Sequence, residues 1–223
     1  MCGRYTITIT ADSAREDLGL TGMPEGYQPR YNVAPTQPVA IVADAEERKA
    51  EWMRWGLIPP WAKDASIGSR LINARSETLI EKPSFRNAFA KRRCLILADG
   101  FYEWQKSGTP GVRPQPYYFK RADGKPFAFA GVWENWRSPE GEAVRSCALI
   151  TTRANKLVKP VHERMPVMLS GVDMWAWLEE TDTGFLMALL HPYPEEEMTA
   201  FPVSTQVNQT RLDVPDLIQP VAV

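Results

Sequence analysis

The chain has 223 residues, a hydrophobic fraction of 44%, a charged fraction of 24% and a formal net charge of −1. That composition suits a globular domain with a full core, and no apolar run approaches the ~20 residues of a membrane span. The near-neutral balance excludes binding to nucleic acid through bulk basicity and leaves room only for a local basic patch.

The elements follow in chain order. "RYTITIT" alternates and predicts a first strand. "DSAREDL" predicts a short helix capped by Asp12 or Ser13. "PVAIVAD" and "AEWMRWGLI" predict a strand pair across the charged turn "AEERK". "SETLIEKPSFRNAFAKR" has helical spacing, with Leu79, Ile80, Phe85 and Phe89 as its buried stripe and a kink or restart at Pro83. "CLILADGFYEW" and "QPYYFKR" read as strands around a Gly108–Pro114 loop, and "PFAFAGVWENW" and "AVRSCALITT" as a pair across "RSPEGE". "NKLVKPVHERM" is a short helix or turn before the strand "PVMLS"; "GVDMWAWLEE" and "TGFLMALL" are helices; "TAFPVSTQVNQT" holds a last strand. Many short strands and few helices predict one α+β domain over residues 1–223, with a mixed, curled, barrel-like sheet flanked by short helices. Trp52, Trp55, Trp133, Trp175 and Trp177 are expected in the core.

Three cysteines, an odd number without paired spacing, argue against a disulfide framework and for a reducing compartment. Cys94 and Cys147 border apolar runs and read as core thiols. Two histidines and no Cys/His cluster leave no metal site in view, and no cofactor is expected. The N-terminus lacks a basic stretch followed by an apolar segment, so no secretory signal is read and a cytoplasmic location is expected.

Cys2 stands apart. If Met1 is trimmed, it carries an α-amine and a thiol on adjacent carbons. Other polar residues also sit where folding alone does not require them: Arg4 in "MCGRY", Asn32 in "RYNVAPTQ", Asn73 and Arg75 in "INARSET", Glu103 in "ADGFYEW" and His162 in "PVHERMPVML". Singly, each has an ordinary structural alternative. Asn73 can cap, Arg75 can be solvated, Glu103 can be the outward residue of a strand, and His162 can close a turn.

Taken in order, "MCGRY", "RYNVAPTQ", "WGLIPPWAKD", "INARSET", "CLILADGFYEW" and "HERMPVML" are long and specific. The chain resembles, from Cys2 to "DLIQPV", the SRAP family (SOS-response-associated peptidase domain), whose members process abasic sites and crosslink to DNA. The resemblance implies a DNA-damage protein that binds single-stranded DNA, acts as a monomer in a bacterial-type cytoplasm at the nucleoid, and contacts no membrane. It implies Cys2, Asn73, Glu103 and His162 as the catalytic set, and Arg4, Asn32, Pro35, Trp61, Arg75 and Thr151 as DNA contacts. The chemistry is consistent with it: an abasic site is partly an open-chain aldehyde, and a free α-amine with pKa of about 7.7–8.0 condenses with it at neutral pH. The thiol can then close a five-membered thiazolidine. Two other readings stay open: a peptidase with Cys2 as N-terminal nucleophile, acting on other chains or once on its own Met1, and a single-strand-binding module without chemistry.

Overall fold

The computed structural model describes residues 2–109 and 111–222. Met1, whose trimming is an expectation, Pro110 in the Gly108–Pro114 loop, and Val223 at the end of the expected domain lie outside the described residues. The strands are β1 (Tyr5–Ile7), β2 (Arg30–Val33), β3 (Pro38–Val42), β4 (Glu51–Trp55), β5 (Asn73–Arg75), β6 (Arg93–Ala98), β7 (Gly100–Gln105), β8 (Gln115–Arg121), β9 (Phe127–Arg137), β10 (Ala143–Arg153), β11 (Arg164–Pro166), β12 (Met168–Leu169) and β13 (Met198–Pro202). The helices are α1 (Ala11–Leu18), α2 (Arg86–Lys91), α3 (Val172–Glu179) and α4 (Thr183–Ala188).

Strands β10, β4, β3, β6 and β9 pair in that order, and β9 pairs back onto β10, so this sheet closes on itself. All its pairings are antiparallel except β10 with β4, which makes the barrel mixed. Closure removes the exposed edges of a sheet this rich in β-branched and aromatic residues. The predicted α+β class with a curled, barrel-like sheet holds. A second sheet, ordered β13-β8-β7-β1-β2, lays one face on the barrel's core through Tyr5, Phe101 and Phe119. Its other face carries Tyr102 and Tyr118, which pack under Val203, Val207 and Leu217 of the C-terminal segment. Cys94 and Cys147 are core thiols, as expected. Among the described residues no helix is long and apolar enough to cross a membrane, and no group of acidic, His or Cys residues could hold a metal ion.

The run "CLILADGFYEW" forms two strands, not one. It breaks at Asp99, and the halves join different sheets. The carboxylate of Asp99 accepts from the Thr6 hydroxyl at 2.5 Å and from the Thr8 amide at 2.5 Å and hydroxyl at 2.6 Å. Its amide donates to the Thr6 carbonyl at 3.0 Å. This clamp docks β1 beside β7. Gly100 follows because nothing larger fits: a Cβ there would lie 2.1 Å from the Tyr118 hydroxyl oxygen.

The segment expected to be helical from Ser76 holds a single 3₁₀ turn, Ser76–Thr78, and then α2. Pro83 supplies no N–H to continue the first turn, so one helical stripe cannot run through it. Leu79, Phe85 and Phe89 are buried, but Ile80 is turned outward. Of the expected core tryptophans, Trp55 and Trp177 are buried, while Trp133 and Trp175 are half-buried. Trp52 is exposed, stacked on Tyr27 with centroids 6.4 Å apart and donating to the Glu25 carbonyl at 2.9 Å. The indoles of Trp133 and Trp175 instead meet the guanidinium groups of Arg145 and Arg48, at 4.4 and 4.2 Å from the ring centroids.

Gly100→Ala must push against a tyrosine that is itself hydrogen-bonded to Thr6 at 2.8 Å. It should cost about 1–3 kcal/mol, the usual penalty of overpacking, read as a lower urea midpoint with an unchanged m-value. An unaltered midpoint would mean that the sheets separate here at no cost.

Candidate active site

Strands β1 and β7 pair with Tyr5 opposite Phe101 and Thr6 opposite Gly100. The pairing continues toward the chain start through the Tyr102 amide, which donates to the Arg4 carbonyl at 3.0 Å. One further step in this register sets Glu103 across from Gly3, next to Cys2. Cys2 is buried, and its thiol lies 3.7 Å from the Arg4 carbonyl oxygen. From another direction β5 brings Asn73, whose amide donates to the Cys2 carbonyl at 2.9 Å. Parallel pairing to β10, with Leu149 opposite Asn73, holds β5 there.

The fourth candidate arrives on the turn between β10 and β11. Asn155 shapes that turn, accepting from the Val158 amide at 2.9 Å and donating to the Tyr193 carbonyl at 2.8 Å. Gln105, two residues after Glu103, donates to the Pro160 carbonyl at 3.3 Å and ties the turn to the end of β7. His162 Nδ1 accepts from the Arg164 amide at 3.0 Å. The same nitrogen lies 3.2 Å from the Arg164 carbonyl oxygen, and the tautomer that accepts the shorter bond from the amide carries its proton on Nε2.

The electrostatics are those of a desolvated pocket. Burial raises the Glu103 carboxyl from 4.5 to about 7. The cause is burial against the barrel core; the neighbouring Tyr102 packs on the opposite face of the sheet. Burial, and then Glu103, push the Cys2 thiol well above its ordinary value. Burial lowers the His162 pKa, and Lys106 adds to this. Near neutrality the arrangement therefore offers a protonated thiol, a carboxyl poised between its two states, and an imidazole N–H. The Oδ1 of Asn73 is buried without a hydrogen-bond partner.

The expected DNA contacts divide by exposure. Arg75 is exposed, Pro35 half-exposed and Trp61 59% exposed. Trp61 sits on a loop held by Trp136, which donates to the Ala62 carbonyl at 2.8 Å, and by Ser146, which accepts from the Ile58 amide at 2.8 Å. Asn32 and Thr151, also expected as DNA contacts, are buried. The Asn32 amide is spent on the carbonyls of Val207, Gln209 and Leu212, at 3.3, 3.1 and 2.7 Å. Thr151 accepts from Arg164 through its carbonyl, at 2.6 Å, and through its hydroxyl, at 3.2 Å. Arg4 is half committed: Nη1 donates to Asn32 at 2.8 Å and to the Val207 carbonyl at 2.7 Å, and Nη2 has no hydrogen-bond partner among the described residues. Two further residues shape the site. Arg164 grips Thr151 and the Glu77 carboxylate and so fixes the His162 turn; its signal was its place within "HERM". Trp104 donates to Asn208 at 2.8 Å and helps fasten the C-terminal segment, a pairing of residues so distant in sequence that nothing local marks it.

The family model described as SOS response associated peptidase (SRAP) matches residues 1–210. The chain is 43% identical over 224 residues to the abasic site processing protein YoqW of Bacillus subtilis, covering 98% of this chain and 99% of that one. It is 32% identical over 263 residues to the abasic site processing protein HMCES of Xenopus tropicalis, covering 97% of this chain and 77% of that one. A solved protein from Bacteroides thetaiotaomicron superposes with TM-score 0.87 at 25% identity, covering 99% of this chain and 100% of that one. One from Bordetella bronchiseptica does so with TM-score 0.78 at 30% identity, covering 91% and 100%.

Glu103 carries a pH signature. Its folded pKa lies above the 4.5 of an unfolded chain, so between 4.5 and about 7 the folded state binds more protons. Stability is then full below 4.5 and falls as pH rises through 7, by on the order of 3 kcal/mol. Glu103→Gln should remove that slope and leave the variant more stable than wild type at pH 8 by urea titration. Parallel stability profiles for the two proteins would show that the carboxyl is solvated.

Proposed function

Because the chain belongs to the SOS response associated peptidase family, we propose that it senses and processes abasic sites in DNA, capturing the lesion covalently through Cys2 once Met1 is gone. The observation that carries this reading is the setting of Cys2: a buried thiol second in the sequence, beside a carboxyl whose pKa is about 7. The relatives named abasic site processing proteins support the substrate.

In the proposed sequence, His162 Nε2–H gives its proton to the ring oxygen of the closed deoxyribose as the bond from that oxygen to C1 breaks, and the C1 hydroxyl loses its proton to solvent to become the open aldehyde. The α-amine of Cys2 adds to the aldehyde carbon. Glu103 takes a proton from the resulting ammonium and delivers one to the carbinol oxygen, which leaves as water; an imine remains. The thiol then adds to the imine carbon, its proton passes to the nitrogen, and the five-membered thiazolidine closes. By microscopic reversibility Glu103 also serves crosslink reversal. Asn73 orients Cys2 through its carbonyl and offers Oδ1 as an acceptor to the attacking amine. Single-stranded DNA is the partner, bound by a monomer. Arg75 and the open Nη2 of Arg4 take phosphates, Trp61 stacks on a base, and Pro35 lies along the strand. Asn32 and Thr151 support these contacts from behind.

The peptidase alternative needs a reactive thiolate, which arises in electropositive surroundings. Here burial and Glu103 both hold the proton on sulfur, an environment that suits a thiol trapping an imine better than a thiolate attacking an amide. Removal of Met1 by the protein's own single-turnover cleavage is compatible with either account.

Cys2→Ala should abolish the heat-stable gel shift with an abasic oligonucleotide. Cys2→Ser with a free N-terminus should still form an imine captured by borohydride and, lacking the trap, should cleave the strand by β-elimination. A Cys2→Ala protein that still gives the heat-stable shift would contradict the reading. Glu103→Gln should slow both formation and reversal by about 10²–10⁴, with noncovalent affinity retained; crosslinking at the wild-type rate would make Glu103 structural.

A further inference from the structure

A cavity of ≈ 370 Å³ opens beside Asn73 and Arg75. Its apolar lining is Leu71 and Phe85, and its polar lining is Arg75, Thr78, Lys82 and Ser84. None of these four polar side chains makes a hydrogen bond or ion pair among the described residues, and Arg75 and Lys82 are exposed. The nearby Glu77 carboxylate is already spent on Arg164, so it does not neutralise the pair. Asn73 joins this cavity to the reactive residue: it lines the space, its amide holds the Cys2 carbonyl, and its buried Oδ1 has no partner.

We propose that this cavity seats the nucleotide next to the lesion, with its sugar and base edge against Leu71 and Phe85 and its phosphate between Arg75 and Lys82. The inference rests on the reading that the chain captures abasic DNA and deepens it: affinity would come from an intact neighbouring nucleotide, and the lesion would be set at Cys2 by its neighbour's fit. Apolar floor and cationic rim match the two halves of a nucleotide, and the volume falls in the range of small-molecule pockets, about 300–1,000 Å³. Thr78 and Ser84 supply hydroxyls that can donate to or accept from any base, so the subsite should show little sequence preference.

The test uses oligonucleotides carrying a non-reacting tetrahydrofuran abasic analogue in the middle, at the 5′ end or at the 3′ end. Lys82→Ala, a surface change, should weaken binding of the central-lesion strand severalfold and lower its log–log salt slope by about 0.7. Ser84→Trp, which fills the cavity, should weaken the same strand. Both penalties should vanish on one of the two end-lesion strands, the one lacking the seated nucleotide. An unchanged salt slope for Lys82→Ala, or a penalty that persists on both end-lesion strands, would overturn the subsite. Wild-type protein that fails to crosslink a true abasic oligonucleotide would instead contradict the functional reading beneath it.

Discussion

The antiparallel register between β1 and β7 is the constraint on which the site depends. With Tyr5 opposite Phe101, the first residues of the chain have one place to go, beside Glu103. The Asp99 clamp on Thr6 and Thr8 sets that register, and the missing side chain at Gly100 lets Tyr118 complete it. A chain terminus is ordinarily free to fray; here it is drawn into the seam between a closed barrel and a second sheet. The same seam desolvates Glu103. The geometry that delivers Cys2 and the medium that tunes its neighbour thus have one origin.

Strand β10 performs the matching task on the other side. Along its first half it closes the barrel by pairing with β9 and β4; its last residues carry β5 and β11 instead. Asn73 and the His162 turn are therefore held by the two neighbours of one strand end. Arg164, bridging Thr151 and Glu77, braces that end. The C-terminal segment braces the opposite face through the Asn32 amide and Arg4. Reactive groups borrowed from four separate segments keep their geometry because each rests on a strand or on a hydrogen-bonded turn.

Much of this was legible in the residues. Alternation marks β1, apolar runs joined across the turns "AEERK" and "RSPEGE" mark β3, β4, β9 and β10, and the polar residues interrupting "INARSET", "ADGFYEW" and "HERMPVML" mark the candidate site. What escaped was tertiary. A run such as "CLILADGFYEW" reads as continuous because its period never changes; only the carboxylate clamp at Asp99, made with residues far away in sequence, shows the switch between sheets. The resemblance implies Asn32 and Thr151 as DNA contacts, but no local pattern shows that their side chains are held by distant carbonyls and by Arg164. Ile80 and Trp52 followed hydrophobicity into an expected core, but Pro83 broke the helical period in one case and an outward strand position exposed the other.

The central claim is that one carbon of the lesion ends up bonded to both the nitrogen and the sulfur of Cys2. High-resolution mass spectrometry of the N-terminal nucleopeptide, after alkylation of the denatured adduct with iodoacetamide, tests it most directly. The account predicts a peptide beginning at Cys2, joined to the strand with loss of one water, whose sulfur resists alkylation. A joined peptide that retains Met1, or one whose Cys2 sulfur is alkylated, would contradict it.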